Sequence, residues 1–212
     1  MIKRIITFFV IFLACTLPVL ADTLPRTVSD LSKDTIGMYQ MPKHIVIYSS
    51  PDTNSDIIFE SKWDYKTFNS ENVKAEDLFS VFIQSKELAY SQVTDYTDDW
   101  VEVIYNKKEN QKGWLKTEEL RFMPWRNFYN LYGRKYGVYV LKKSPDTVKN
   151  LHSATSDESQ IIHKMESPQK IKLVVIKGNW ALVTSVEHNF GISGYLKWRN
   201  EDGNIYAFPS IK

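Results

Sequence analysis

Cysteine is almost missing from this chain. Its 212 residues hold one, Cys15, and that one sits in an N-terminal stretch with the features of a removable export signal. Without it there is no disulfide framework and no thiol nucleophile. Histidine is scarce as well: His44, His152, His163 and His188 are the four, each alone, with no His-x-His or His-Glu-x-x-His spacing of the kind that builds a zinc site. Isolated surface or strand histidines are the plain reading. A Gly-x-Ser-x-Gly nucleophile elbow and a Gly-rich phosphate loop are also lacking. The N-terminal apolar run is shorter than the roughly 20 residues of a spanning helix and is broken by Pro18.

Residues 1–21 have the build of a secretory signal peptide: Lys3 and Arg4, an apolar core from Ile5 to Leu13, and Val19-Leu20-Ala21 before Asp22. Cleavage is expected after Ala21. The alternative, lipidation of Cys15, has Phe12-Leu13-Ala14 in place of the usual small residues and leaves the apolar Thr16–Leu20 at the mature terminus. The formal charge of +2 comes from 27 basic against 25 acidic residues. Removing 1–21 takes away Lys3 and Arg4 and no acid, so the exported chain is neutral. A neutral chain without a basic stripe is a poor nucleic-acid binder.

What is present is a repeat. Asp98-Asp99-Trp100-Val101-Glu102-Val103, followed by Gly113-Trp114-Leu115-Lys116, returns as Gly178-Asn179-Trp180-Ala181-Leu182-Val183, followed by Gly194-Tyr195-Leu196-Lys197. Upstream, Gly37-Met38-Tyr39 is echoed by Gly137-Val138-Tyr139. Ile47-Tyr48-Ser49-Ser50 and Ser55-Asp56-Ile57-Ile58 are echoed at the same mutual spacing by Leu151-His152-Ser153-Ala154 and Ser159-Gln160-Ile161-Ile162. Turn residues alternating with period-2 apolar strands spell small all-β units. Two copies are too few for a solenoid, so two tandem small barrels are expected.

The divisions follow: signal 1–21, a flexible lead-in 22–35, a first module 36–120, an aromatic linker 121–135 and a second module 136–212. The first copy has 24 more residues between its Ile-Ile pair and its tryptophan than the second. Such an insertion lies over the surface, and its aromatics either cap the barrel or face a partner. The linker holds Phe122, Trp125, Phe128, Tyr129 and Tyr132, which a flexible tether has little use for; packing between the modules is the plain reading.

This pattern of β-branched strand, Ser/Pro/Asp turn, Asp-Trp-Val-Glu-Val and Gly-Trp-Leu resembles the bacterial SH3-like (SH3b) domain of secreted and cell-wall proteins, over about 36–120 and 136–205. Tyr195 in the tryptophan position and the long insertion depart from the family form. The resemblance implies strongly bent antiparallel barrels and a targeting or recognition role in the envelope, with peptidoglycan or peptides as ligands. It also points to the hydrolases that often accompany such modules. The residues for them are lacking: no thiol and no histidine cluster. Asp98-Asp99 and Glu118-Glu119 are the local carboxylate pairs, placed where acids are common for solubility. The chain is therefore expected not to be an enzyme and to need no cofactor or metal.

Binding is expected of the aromatics, 14% of the chain. Trp100, Trp114 and Trp180 head or fill core strands. Tyr48, Trp63 and Trp198 lie at strand or loop ends and, with Trp100, are the candidate contacts for a cell-wall glycopeptide, bound by stacking rather than charge. A second possibility is a structural protein whose paired modules dock an envelope protein or another copy.

Overall fold

The computed structural model describes residues 22–117, 121–166, 170–187 and 190–212. The signal segment with Cys15, the Glu118-Glu119 pair and His188 lie outside the described residues. The fold is mostly β, in two antiparallel sheets. The first sheet is built from β1 (Gly37–Gln40), β2 (His44–Tyr48), β3 (Ile57–Trp63), β4 (Phe68–Asn69), β5 (Val81–Ile83), β6 (Leu88–Tyr96), β7 (Trp100–Asn106), β8 (Gln111–Lys116) and β9 (Phe122–Pro124). The second holds β10 (Val138–Val140), β11 (Asn150–His152), β12 (Ile161–Lys164), β13 (Lys170–Lys177), β14 (Trp180–Glu187), β15 (Phe190–Lys197) and β16 (Ala207–Pro209). No helix among the described residues is long and apolar enough to cross a membrane.

The repeat seen in sequence is a repeat of topology. The first sheet runs β4-β3-β2-β8-β7-β6-β1-β9, with β5 paired to β6, and the second runs β12-β11-β15-β14-β13-β10-β16. Without β4 and β5, which belong to the extra chain of the first copy, the two orders coincide strand for strand. Two of the irregularities coincide too. The register slips between Ile47 and Tyr48 and between Leu151 and His152, and again between Val93 and Asp95 and between Leu173 and Val175. A bulge bends its strand and sharpens the local twist, so both copies turn their sheets at the same places. The pairings among the described residues leave both sheets open, ending at β4 and β9 in one and at β12 and β16 in the other.

Side chains account for the coincidence. Ser55 Oγ donates to the carbonyls of Ser50 and Asp52 at 3.1 and 2.7 Å, and Ser159 Oγ donates to those of Ala154 and Ser156 at the same two distances. Each serine ties the hairpin between its first two repeated strands by reinforcing the turn's own backbone hydrogen bonds. The glycines of the Gly-aromatic-Leu-Lys motif are required by packing. A Cβ on Gly113 would stand 2.4 Å from Ile47 and 2.8 Å from Ile58; on Gly194 it would stand 2.9 Å from Leu151 and 2.8 Å from Ile162. The isoleucine that follows each turn therefore folds over a bare stretch of backbone.

Two cores result. One lies inside the first half, around Ile45, Ile47, Val93, Val103 and Leu115. The 24-residue insertion caps it: Trp63 packs edge-on against Phe79 and Phe82, which stack on each other 4.7 Å apart. Helix α1 (Ala75–Leu78) adds buried Ala75 and Leu78 to the same cluster. The other core contains the second half, the segment after β9, and Met38, Val81, Ile83 and Tyr90 of the first half. That segment is helical: α2 (Trp125–Phe128), a π-helical turn at Tyr129–Gly133, and α3 (Arg134–Tyr136). Trp125, Phe128 and Tyr129 are buried. Their rings meet Tyr90 on one side and Trp198 and Phe208 on the other. Trp125, Phe128, Tyr129 and Tyr132 thus sit in or against a core shared by both sheets, while Phe122 packs on the first half's own core.

The expectation of a flexible lead-in at 22–35 is corrected. Thr23 exchanges two backbone hydrogen bonds with Phe82 of β5, at 2.8 and 2.9 Å, and Thr27 bridges to Lys142 beyond β10. Leu31 and Thr35 are buried. Gln92 of β6 receives the Ser32 N–H and donates to the Asp30 carbonyl, while Arg199 donates to the carbonyls of Lys33 and Thr35. The segment is a strap across both halves. Its composition shows no strand or helix periodicity because it is held by backbone groups one at a time, and no run of apolar side chains is needed for that.

Candidate functional site

Of the four sequence candidates, the structure brings two together. Tyr48 of β2 and Trp100 of β7 meet edge to face, ring centroids 5.4 Å apart at 89°. Tyr48 is half-buried and stands opposite Trp114 of β8. On the same face β7 and β8 pair Trp100 with Lys116 and Glu102 with Trp114. Directly opposed residues share a face of a sheet, so Tyr48, Trp114, the edge of Trp100, Glu102 and Lys116 form one surface. Glu102 and Trp114 are half-buried and Lys116 is exposed. The Glu102 carboxylate accepts a hydrogen bond from Thr94 Oγ1 of β6, which fixes it beside the rings. Asp98 and Asp99 lie exposed in the turn leading into Trp100.

The other two candidates belong to cores, and the expectation that they contact ligand is corrected. Trp63 is 4% exposed and donates its indole N–H to the Pro42 carbonyl at 2.7 Å. Trp198 is 4% exposed, donates to the Gly178 carbonyl at 2.9 Å, and lies 4.5 Å from the Tyr129 ring. An indole with both its ring and its N–H used internally offers little to a ligand. Strand ends read as exposed from sequence are here where chain crosses between elements and needs a large apolar plug. Trp100 is itself 8% exposed, so it forms the floor of the face while Tyr48 and Trp114 form its surface.

The second half carries the same face in a filled state. His152 stands edge-on to Trp180 at 5.2 Å, as Tyr48 does to Trp100, and opposite Tyr195, as Tyr48 does to Trp114. Lys197, opposite Trp180 in register, holds its ammonium 5.7 Å from the centre of the Trp180 ring and ion-pairs with Asp157 and Glu201. Burial opposes that charge, but the hydrogen bonds that the ammonium donates to Asp157 and Glu201 outweigh burial and raise the amine above the ordinary lysine value. Lys177 lies 5.3 Å from the Tyr195 ring and donates to its hydroxyl. Sequence reading missed this lysine clamp. The equivalence of Lys116 and Lys197 in the motif was the available signal; the acids that hold Lys197 come from a distant turn and from beyond the strand.

Three hollows lie elsewhere. The largest, about 1250 Å³, opens at the seam between the first sheet and the helical segment, over Met41, Trp63, Tyr90, Met123 and Leu131, with Arg121 on its rim. Tyr90 and Tyr132 share a hydroxyl–hydroxyl hydrogen bond of 2.7 Å there. A second, about 780 Å³, runs along β3 between Ile57 and Lys62 and the 69–72 loop. The third, about 520 Å³, lies under the strap beside Lys107. The Lys107 amine donates to the Phe79 carbonyl at 2.9 Å. Burial pushes it down to about 8, against the opposing pull of Asp30, Asp77 and Glu76. Asp30 is also desolvated, but the backbone N–H groups of Arg26 and Thr27 and the Thr27 hydroxyl hold it below the ordinary carboxylate value.

Among the described residues no group of three or more His, Cys, Asp or Glu is placed to hold a metal ion. His44 is exposed and pairs with Glu60 at 2.8 Å, and His152 Nδ1 donates to the Ser159 carbonyl at 3.2 Å. No protein-family model matches the chain, and no curated protein matches it.

Proposed function

We propose that this is a non-catalytic recognition protein of the cell envelope, exported by cleavage after Ala21. In this reading each half is an SH3-like unit, and the first half binds cell-wall glycopeptide on the Tyr48–Trp100–Trp114 face. One observation carries the reading: half-buried Tyr48 and Trp114 lie side by side on a sheet face above Trp100. Flat rings with an adjacent fixed carboxylate suit an extended peptide or glycan stem, which binds by stacking along a shallow surface. The test is co-sedimentation of the mature protein with purified cell-wall sacculi. Wild type should pellet, and Tyr48→Ala with Trp114→Ala should stay in the supernatant while keeping its thermal transition. Equal pelleting of the variant removes this face from the reading, and no pelleting of wild type ends it.

A second reading, a docking protein for an envelope assembly, is supported by a different observation. Both halves expose an Ile-Ile pair at an outer edge: Ile57 and Ile58 of β3, beside the short β4, at 56% and 40%, and Ile161 and Ile162 of the terminal β12 at 52% and 43%. The outer side of β3 is covered by β4 only at Lys62 and Trp63, and unpaired edges with apolar side chains invite strand addition. Sedimentation velocity of wild type against an Ile57→Lys, Ile161→Lys variant tests it: concentration-dependent association lost in the variant favours docking.

A further inference from the structure

The two copies of the repeat differ most in charge around the same tryptophan. In the second half, Lys177 and Lys197 bring two ammonium groups onto the Tyr195 and Trp180 rings. In the first half the residue matching Lys177 is Thr97, and the residue matching Asp157 is Thr53. The positions of Gly178, Asn179 and Leu182 are taken by Asp98, Asp99 and Glu102. Thus the second copy has cations on its rings, and the first has acids beside them. Lys116, the counterpart of Lys197, is exposed and makes neither a ring contact nor an ion pair among the described residues.

We propose that the Tyr48–Trp100–Trp114 face binds a protonated primary amine of its ligand, placed between the rings and the Glu102 carboxylate. The inference rests on the recognition reading above and names the ligand chemistry of that same site. The second half is the internal precedent: there an ammonium lies on the equivalent tryptophan, and carboxylates neutralise it from the side. An ammonium is attracted by the negative face of an aromatic ring, most strongly by indole, and a fixed carboxylate adds a charge-assisted hydrogen bond. Thr94 holds Glu102 on the sheet, so the acid is already oriented before the ligand arrives. A lysine-like side chain or an amino terminus has the required head; Asp98, Asp99 and Glu102 against the one Lys116 leave the surroundings net negative, which disfavours a carboxylate or sulfate.

The probe is Nα-acetyl-lysine methylamide, with Nα-acetyl-norleucine methylamide as the uncharged match. Titration is followed by the indole N–H signals of 15N-labelled protein. The lysine amide should move the Trp100 and Trp114 signals and leave those of Trp180 and Trp198, which also report that the fold is intact. The norleucine amide should bind at least about fivefold more weakly, the size of one ring–cation contact. Glu102→Gln and Tyr48→Leu should each weaken the lysine amide by a similar factor with unchanged Trp180 and Trp198 signals. Equal binding of the two amides, or full retention by both variants, overturns the inference. Sacculi whose free amines have been acetylated separate the two claims. Wild type that pellets equally with treated and untreated sacculi, and ignores the lysine amide, keeps the recognition reading and discards the amine. Protein that binds the lysine amide but never pellets does the reverse.

Discussion

In the second half a lysine ammonium lies over Trp180 between two carboxylates; in the first, Trp100 occupies the same place with Asp98, Asp99 and Glu102 around it. The sheets beneath are alike down to the serine that closes each hairpin and the glycine under each isoleucine. What has diverged is the outward face, and it has diverged in sign. Backbone order, bulges and core contacts constrain one another through packing, so they change together or not at all. Charges on a sheet face are screened and weakly coupled to the core, and a duplicated scaffold can therefore be re-addressed without being refolded.

The largest effect is expected where the halves are joined. Trp125 donates its indole N–H to the Thr35 carbonyl and lies in the core shared by both sheets. Trp125→Ala should cost about 3–5 kcal/mol, read by urea unfolding. If the halves form one cooperative body, wild type unfolds in a single transition and the variant in a single earlier one. Two transitions in wild type would mean that the halves are independent and the seam is weak.

Next come two lysines that the fold treats oppositely. Lys197 is raised by its acids, whereas Lys107 is pushed by burial to about 8 from 10.5. Between those two values the unfolded chain holds the Lys107 proton and the folded one does not, so stability should rise with pH through that window. The gain is up to about 3 kcal/mol, and below about pH 8 the cost of the buried charge is constant. Near pH 10 and above, Tyr90, Tyr129 and Tyr139, all held protonated chiefly by burial, act with the opposite sign. Lys107→Met should flatten the rise between pH 8 and 10 in chemical-denaturation curves; a wild type with no rise would remove the lysine's burial from the description.

Two smaller changes sharpen the contrast. Ser61 of β3 has a buried hydroxyl with no hydrogen-bond partner among the described residues. Ser61→Ala should stabilise the first half by about 1 kcal/mol, seen as a higher melting temperature; a loss of similar size would show that the hydroxyl is paired. Lys197→Met should cost under about 1 kcal/mol, because Asp157 and Glu201 are mostly exposed and such pairs are screened. Its more telling result is spectral: the Trp180 indole signal should move while that of Trp100 stays.

Much of the scaffold was legible because it is written locally. Trp-x-Glu/Leu-x alternation, Ser-Pro-Asp turns and the Gly-aromatic-Leu-Lys motif each specify a strand or a turn within a few residues, and the repeat doubled every signal. The strap was not legible, since its partners Phe82, Gln92, Lys142 and Arg199 are remote and hold backbone rather than side chains. Of the four candidate residues, Tyr48 and Trp100 meet on one face, while Trp63 and Trp198 lie in cores. Period-2 patterning says which residues share a face, but not which end of a strand the insertion or the helical segment covers. Glu102 was not singled out in the sequence, because only the charge difference between the two copies gives it meaning.

The strap also sets a timetable. Residues 22–35 precede nearly everything they bind, and Arg199 meets Lys33 across 166 positions of chain. While the polypeptide is being delivered end first, this segment can hold Phe82 and Gln92 once the first sheet forms, but its bonds to Lys142 and Arg199 wait for the second. Contacts that distant pay for loop closure before they return anything, which slows assembly. The last act of folding is then a buckle fastening: a segment already laid on the first half ties it to the second when residue 199 arrives.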